Sequence, residues 1–418
     1  MIDDFVAFLK ESPSKFHVVK NISAMLGKSG FSKLDEGKRF SLSKGGRYYV
    51  TRDSSALIAF VVPNSGYESF SVIASHSDSP TFKVKTMPDD VKEGYSTLNV
   101  ESYGGAIISS WFDRILSLSG RVFVLDGGKE KEVLFDAKDG ILSLPHLAIH
   151  MDRGMNDGRK LDAQKEIAPI FNQKGVSLLS FVAYKLGVKE ENILSYDLYL
   201  YVKDEPVVWG IDGEYFSSPR IDNLSSAYYS AKALSESTET GKSVKMIALF
   251  DSEEVGSMTR SGALSDFLSL TMKRIALSLG LDEEEHYMTL SKSMMISSDN
   301  GHAVHPNYVE KADRTNRPVL NNGILIKHSA SEKYASGGMA EAVLKRILIE
   351  NDIPYQEFAN NSNIPGGSTL GNLSIGKVGI PTIDVGIGEL AMHSAFEMAG
   401  EKDIESIYRL YISFYKSR

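Results

Sequence analysis

Hydrophobic and polar positions change period several times along this chain, and each change predicts an element. From Val244 to Phe250 the run VKMIALF is apolar but for one lysine and contains neither glycine nor proline. So short and nearly continuous a run predicts a strand buried on both faces, the habit of a parallel sheet. Phe70 to Ser75, Met294 to Ile296 and Thr382 to Val385 predict further strands, as do Arg47 to Thr51 and Leu57 to Val62, the last closed by Pro63. Between these runs the period becomes helical. Leu224, Ala227, Tyr228, Ala231 and Leu234 recur at helical spacing in a segment starting at Asn223. Met1 to Leu9 predicts a short amphipathic helix. Ser14 predicts the N-cap of a second, with Phe16, Val19, Ile22 and Leu26 on one face and Gly27 as its stop. Helices are also predicted around Ala263 to Leu279, Ser336 to Asn351 and Asp403 to Ser417.

From about Val91 the texture is different. Short strand-like runs such as Gly120 to Leu125 and Glu132 to Phe135 alternate with Gly and Asp turns, the pattern of a small antiparallel β unit. A polar stretch, Asp152 to Lys165, interrupts it. Strands at Tyr196 to Val202 and Val207 to Trp209 continue it to near Tyr215. The fold predicted is α/β: a mixed sheet flanked by helices, formed by residues 1–88 and 215–418, with a β-rich unit inserted at 89–214.

Length supports two units, because 418 residues exceed what one ordinary core holds. Composition, with 42% hydrophobic and 24% charged residues, is that of a globular chain. A net charge of −8 argues against nucleic acid or an anionic membrane surface as partner. No window has the ~20 apolar residues of a membrane span, and the acidic start MIDDFVAFLKES does not read as a secretory signal, so a cytoplasmic location is expected. The absence of cysteine has more consequence. It excludes disulfides and thiolate chemistry, so any metal must be held by His, Asp and Glu.

Those residue types collect just after the predicted strands. His76 follows the run ending at Ser75, Glu253 and Glu254 follow Phe250, Asp299 follows the 294–296 run, and His393 follows Val385, while Asp222 stands before the helix from Asn223. A sheet gathers the C-terminal ends of its strands along one rim, where open α/β sheets bind ligands. Two imidazoles and three carboxylates suffice for two divalent ions sharing a carboxylate, and one carboxylate is left over as a general base. Donors without sulfur suit zinc, cobalt or manganese. Each residue alone also has a structural explanation. His76 can cap a strand, Asp222 can be a helix N-cap, Asp299 can be a turn residue beside Asn300, and His393 can be a core histidine. Asp78, two residues after His76, favours the ligand reading, because a ligating histidine needs a partner for its other ring nitrogen.

The same residues carry a resemblance. The chain resembles the M18 metallopeptidases, the aspartyl aminopeptidases, within the di-zinc exopeptidases. The matching stretches are SPSKFH at 12–17, SHSDSP at 75–80, YGG at 103–105, WFDR at 111–114, PHLAIH at 145–150 and RIDNL at 220–224. Further along come DSEEVGS at 251–257, Asp299 with HAVHPNY at 302–308, GGSTLG at 366–371 and AMHS at 391–394. The resemblance implies that His76 and Asp299 hold one metal, Glu254 and His393 the other, and that Asp222 bridges them. It implies two divalent ions, zinc first and cobalt or manganese as alternatives. Glu253 would be the general base and then the proton donor, with Asp78 orienting His76. His302 would contact substrate, and Lys327 and Tyr334, seven residues apart, would line a pocket for an acidic N-terminal residue. His150, with His146 as the fallback, would reach a neighbouring subunit's site from an inserted dimerisation domain. The expected activity is removal of N-terminal Asp or Glu from peptides by an enzyme assembled from dimers, as a dodecamer. One departure stands before the glycine-rich loop, where Asn363 replaces an acid common in the family. Two rival readings are the same centre with neutral-residue specificity and a non-catalytic assembly protein on this fold.

Overall fold

The computed structural model describes residues Met1–Arg418. Its spine is a nine-stranded mixed sheet. In spatial order the strands are Ser32–Lys33, Arg47–Arg52, Ala56–Val61, Ser243–Phe250, Ser69–His76, Met294–Ser298, Thr382–Gly386, Ile324–His328 and Tyr355–Ala359. The four central strands, Ser243–Phe250 through Thr382–Gly386, run parallel. The 243–250 strand is buried at every position, as its apolar run predicts. Alternate residues divide between two cores: Ile247 and Leu249 face one, Met246, Ala248 and Phe250 the other. The first core is covered by helices Ile2–Glu11, Lys15–Lys28, Ile221–Ser235, Gly338–Glu350 and Glu401–Lys416, and the second by Phe267–Ser278 and Leu370–Val378.

A second sheet takes its strands from residues 81–202. Ile193–Val202 pairs with Thr81–Lys92 on one side and with Ile115–Asp126 on the other, so the sheet closes into a barrel around Phe82, Leu98, Leu116, Val122 and Leu198. Two strands here were not predicted, Thr81–Lys92 and Tyr95–Tyr103; each alternates over only part of its length, through Phe82 and Val84 in one and Ser96, Leu98 and Val100 in the other, and the register shifts between Val84 and Asp89. The strand Val207–Trp209, expected to end this unit, pairs instead with Tyr215–Ser218. It forms the edge of a third, five-stranded sheet with Glu397–Gly400, Gly388–Leu390 and Gly301–His302.

Helix ends also differ from expectation. The second helix runs through Gly27 to Lys28, since its burial continues to Leu26 and Gly30 at φ +83° makes the turn instead. Ser14 is its N-cap residue but gives no cap bond, because its hydroxyl pairs with His17 Nδ1 at 2.8 Å. No helix is long and apolar enough to cross a membrane.

Candidate metal centre

The rim formed by the parallel strands brings six side chains together. His76 is the last residue of its strand, and Phe250, the last of the neighbouring one, stands directly beside it in register. The chain then turns sharply through Ser252, at φ +62°, into a single turn of 3-10 helix that carries Glu253 and Glu254. Asp299 follows the Met294–Ser298 strand on the far side of His76. Asp222 comes from the helix Ile221–Ser235. It is not the N-cap, a position held by Arg220; its backbone leaves helical geometry and its carboxylate turns into the cluster. His393 arrives from the loop after Gly388–Leu390 with φ +65°.

Distances define two adjoining groups. His76 Nε2 lies 3.5 Å from Asp222 Oδ1 and 3.5 Å from Asp299 Oδ1. His393 Nε2 lies 3.5 Å from Asp222 Oδ2 and 3.4 Å from Glu254 Oε2. The two oxygens of Asp222 thus face different groups. Two donors each bonded to one ion at 2.0–2.1 Å and at the tetrahedral angle stand about 3.3–3.4 Å apart, so both groups have the spacing of a zinc coordination shell. Asp222 Oδ1 and Glu254 Oε1 are buried with no hydrogen-bond partner, which is costly without a cation nearby. The residues fit divalent metal on geometry and on donor chemistry. A third combination, His76 with Glu253 and Glu254, also clusters.

Protonation follows from the crowding. Burial, and then Asp299, push the Glu253 carboxyl up to about 8. Burial and then Asp222 push Glu254 well above the carboxylate range. Burial would also raise Asp222, but its bonds to His393 and His76 win and hold it below its usual value. The same contacts overcome burial at His393 and lift it to about 10. Four carboxylates in one buried space raise one another's affinity for positive charge, whether it comes as protons or as metal.

The surrounding layer is equally specific. His76 Nδ1 donates to the Asp78 carbonyl at 3.0 Å, while the Asp78 carboxylate lies 3.6 Å from that nitrogen. The carboxylate is spent elsewhere: it accepts the backbone N–H of Glu253 at 3.1 Å and of Glu254 at 3.2 Å, and the Tyr103 hydroxyl at 2.8 Å. Asp251 ion-pairs with Lys15 at 2.8 Å, a loop-structuring contact. Sequence reasoning passed over Glu397. It is buried and accepts the backbone N–H of Asp222 at 3.1 Å and of His393 at 2.8 Å, fixing two of the six residues. An acid at the start of the otherwise uncharged strand Glu397–Gly400 was the one signal for it.

The other singled-out residues are placed as follows. Lys327 is buried near the end of the strand Ile324–His328. Its ammonium donates to the Asn300 carbonyl at 2.5 Å, lies 3.9 Å from Asp299 Oδ2 and sits 5.4 Å from the Tyr334 ring. The Tyr334 hydroxyl accepts from Asn360 at 3.0 Å. His302 lines a cleft of about 410 Å³ with Phe358, Asn360, Gly366 and Met392. His146 is tied to Asp113 at 2.7 Å and stacked on Phe112, whereas His150 is exposed and bonded to nothing. Neither joins the cluster. Asn363 is exposed before the glycine-rich loop, its N–H donating to Asn361.

Imidazole and carboxylate donors grouped this way on the rim of a mixed α/β sheet fit a divalent-metal centre, the kind that metal-dependent hydrolases use to activate water. Comparison with known proteins gives the particular kind. The family model for aminopeptidase I zinc metalloprotease (M18) matches residues 8–415. The chain is 41% identical to the probable M18 family aminopeptidase 2 of Clostridium acetobutylicum, over 98% of this chain and 97% of that one. A chain of the cryo-EM structure of the Ape4 and Nbr1 complex superposes with a TM-score of 0.96 at 32% identity, covering 99% of this chain and 85% of that one. The S. cerevisiae mApe1 dodecamer matches with a TM-score of 0.86 at 25% identity, covering 99% and 96%. The chain belongs to the M18 family and is a zinc metallo-aminopeptidase.

Proposed function

We propose that this aminopeptidase removes N-terminal Asp or Glu from peptides at a centre of two divalent cations, with Glu253 as general base. One observation carries the two-cation reading: Asp222 turns one oxygen to His76 and the other to His393, each at 3.5 Å. His76 and Asp299 would hold one cation, Glu254 and His393 the other, and Asp222 both. Zinc bound there lowers the pKa of a water molecule and polarises a carbonyl oxygen. Glu253 stands beside that space without belonging to either pair. A buried carboxyl suits the base role, because burial strengthens its hold on a proton taken from water, which it can then return to the leaving amine. Asp78 holds the Glu253 and Glu254 N–H groups, so the two adjacent side chains keep separate directions.

Support for an acidic first residue comes from Lys327, a buried ammonium next to Asp299. A buried cation near the centre attracts a substrate carboxylate and disfavours an apolar side chain. The rival reading, neutral specificity, also has an observation behind it: the ammonium already donates to the Asn300 carbonyl and faces Asp299. A panel of aminoacyl p-nitroanilides decides. Acidic residues cleaved faster than leucine and alanine support the proposal, and the reverse order overturns it.

Assembly belongs to the same reading. We infer that the 89–214 segment pairs subunits as dimers within a dodecamer and that exposed His150 completes a neighbour's site, with His146 held at home by Asp113. The similarity to the mApe1 dodecamer supports it. Light scattering tests the size. A His150→Ala variant that keeps both its assembly and full activity removes the role given to His150.

A further inference from the structure

Two residues outside the metal centre converge on the turn that carries its glutamates. Lys15 lies at the start of the helix Lys15–Lys28, and Tyr103 ends the barrel strand Tyr95–Tyr103. The Lys15 ammonium is nearly buried. It pairs with Asp251 at 2.8 Å, donates to the Tyr103 hydroxyl at 3.4 Å, and lies 4.9 and 5.3 Å from the Tyr103 and Tyr199 rings. The Tyr103 hydroxyl in turn donates a hydrogen bond to Asp78 Oδ2 at 2.8 Å.

Between them the two routes end on three consecutive backbone amides. Asp251 accepts the N–H of Ser252 at 2.5 Å. Asp78 accepts those of Glu253 and Glu254. The turn begins in left-handed backbone at Ser252 and ends in it at Gly256, a conformation that needs such outside anchors for a residue with a Cβ. Three parts of the molecule therefore meet here: the second helix through Lys15, the barrel through Tyr103, and the sheet rim through Asp78 and Asp251.

We propose that Lys15 and Tyr103 are positioning residues for catalysis, holding Asp78 and Asp251 so that Glu253 and Glu254 keep their directions. The inference rests on the roles proposed above for those two glutamates. Without the Tyr103 hydroxyl, Asp78 Oδ2 loses its only side-chain O–H donor and can rotate. Without the Lys15 ammonium, Asp251 becomes a buried carboxylate lacking a counter-charge, and it either moves out or takes up a proton. In each case the turn loosens while the metal-binding side chains remain.

The test uses the full chain at saturating zinc with an Asp-p-nitroanilide substrate. Tyr103→Phe and Lys15→Met should each lower kcat by about 10–100-fold, the usual effect of losing an outer partner of a metal site. At saturating zinc, KM and zinc content should stay near wild type, while zinc affinity should weaken, because Glu254 rides on the same turn. Lys15→Arg keeps the charge and should restore most of the turnover. The double variant should lose little more than the worse single one, since both act through one turn. Turnover within twofold of wild type in Tyr103→Phe overturns the proposal. So does a loss that follows a fall in Tm and is not restored by Lys15→Arg, because that marks a merely structural contact. Should Lys15→Met fail to fold, Tyr103→Phe decides alone. Glu253→Gln serves as the control: full turnover there would refute the roles of the glutamates themselves, whereas its inactivity beside an active Tyr103→Phe refutes only the positioning role.

Discussion

Replacing Glu253 by Gln changes one oxygen for an amide nitrogen and leaves size, backbone and neighbours alone. Its backbone N–H still donates to Asp78 Oδ1, 3.1 Å away. None of the four short donor pairs, His76 with Asp222 and Asp299, and His393 with Asp222 and Glu254, includes it. Metal content should therefore stay near wild type. What disappears is a carboxylate that accepts a proton, and general-base catalysis contributes about 10²–10⁴ in rate. That range equals about 2.7–5.4 kcal/mol of barrier. The companion Glu254→Gln should do the opposite. Glu254 Oε2 is 3.4 Å from His393 Nε2 and its other oxygen is buried without a partner, so an amide there removes an anionic donor and the site should lose metal. Metal analysis by plasma mass spectrometry together with kcat on an Asp-p-nitroanilide reads both variants. Wild-type turnover in Glu253→Gln, or equal metal loss in the two variants, refutes the division of roles.

Lys327→Ala should cut kcat/KM on Asp- and Glu-peptides by about 10–100-fold, the worth of a hydrogen bond to a charged group, with a smaller loss on Leu- and Ala-peptides; equal losses refute the acidic pocket. Chelation should lower Tm by several degrees and added zinc should restore it, because cations that bind only the folded chain stabilise it by mass action; an unchanged Tm counts against a buried site. Burial pushes the His17 imidazole down to about 4 from 6.5, so the unfolded chain binds a proton in that window that the folded chain refuses. Its contribution to stability is therefore present above about pH 6.5 and is lost as pH falls toward 4, about 2 kcal/mol of it between pH 7.5 and 5. His17→Gln should flatten that part of the Tm–pH curve, and an unaltered curve would show that His17 is not responsible.

The sheet of this protein was legible because its central strands are buried on both faces. A run such as Val244 to Phe250, short, nearly continuous and free of Gly and Pro, has the pattern of such a strand. Among the strands that escaped notice, Thr81–Lys92 alternates only over its first half before turning mostly exposed, and Tyr355–Ala359 is half-buried except at Phe358. The five-stranded third sheet was out of reach, since it joins segments as distant as Gly301–His302 and Glu397–Gly400 by backbone pairing that leaves no local trace. The candidate site divides in the same way. His76, Glu253, Glu254 and Asp299 were legible from position alone, each standing just after a strand whose end must lie on one rim.

Sequence by itself thus determined the parallel core, the absence of sulfur ligands and the set of residues able to reach the rim, because burial and chain direction act locally. Only the tertiary structure decided their partnerships. It turned Asp222 from a helix cap into the carboxylate facing both histidines. It buried Lys327 beside Asp299. It placed Glu397 under Asp222 and His393, and Lys15 and Tyr103 behind the glutamate turn. Each of these joins residues from different elements, and a contact made across elements is fixed by how they pack, which no single stretch of chain encodes.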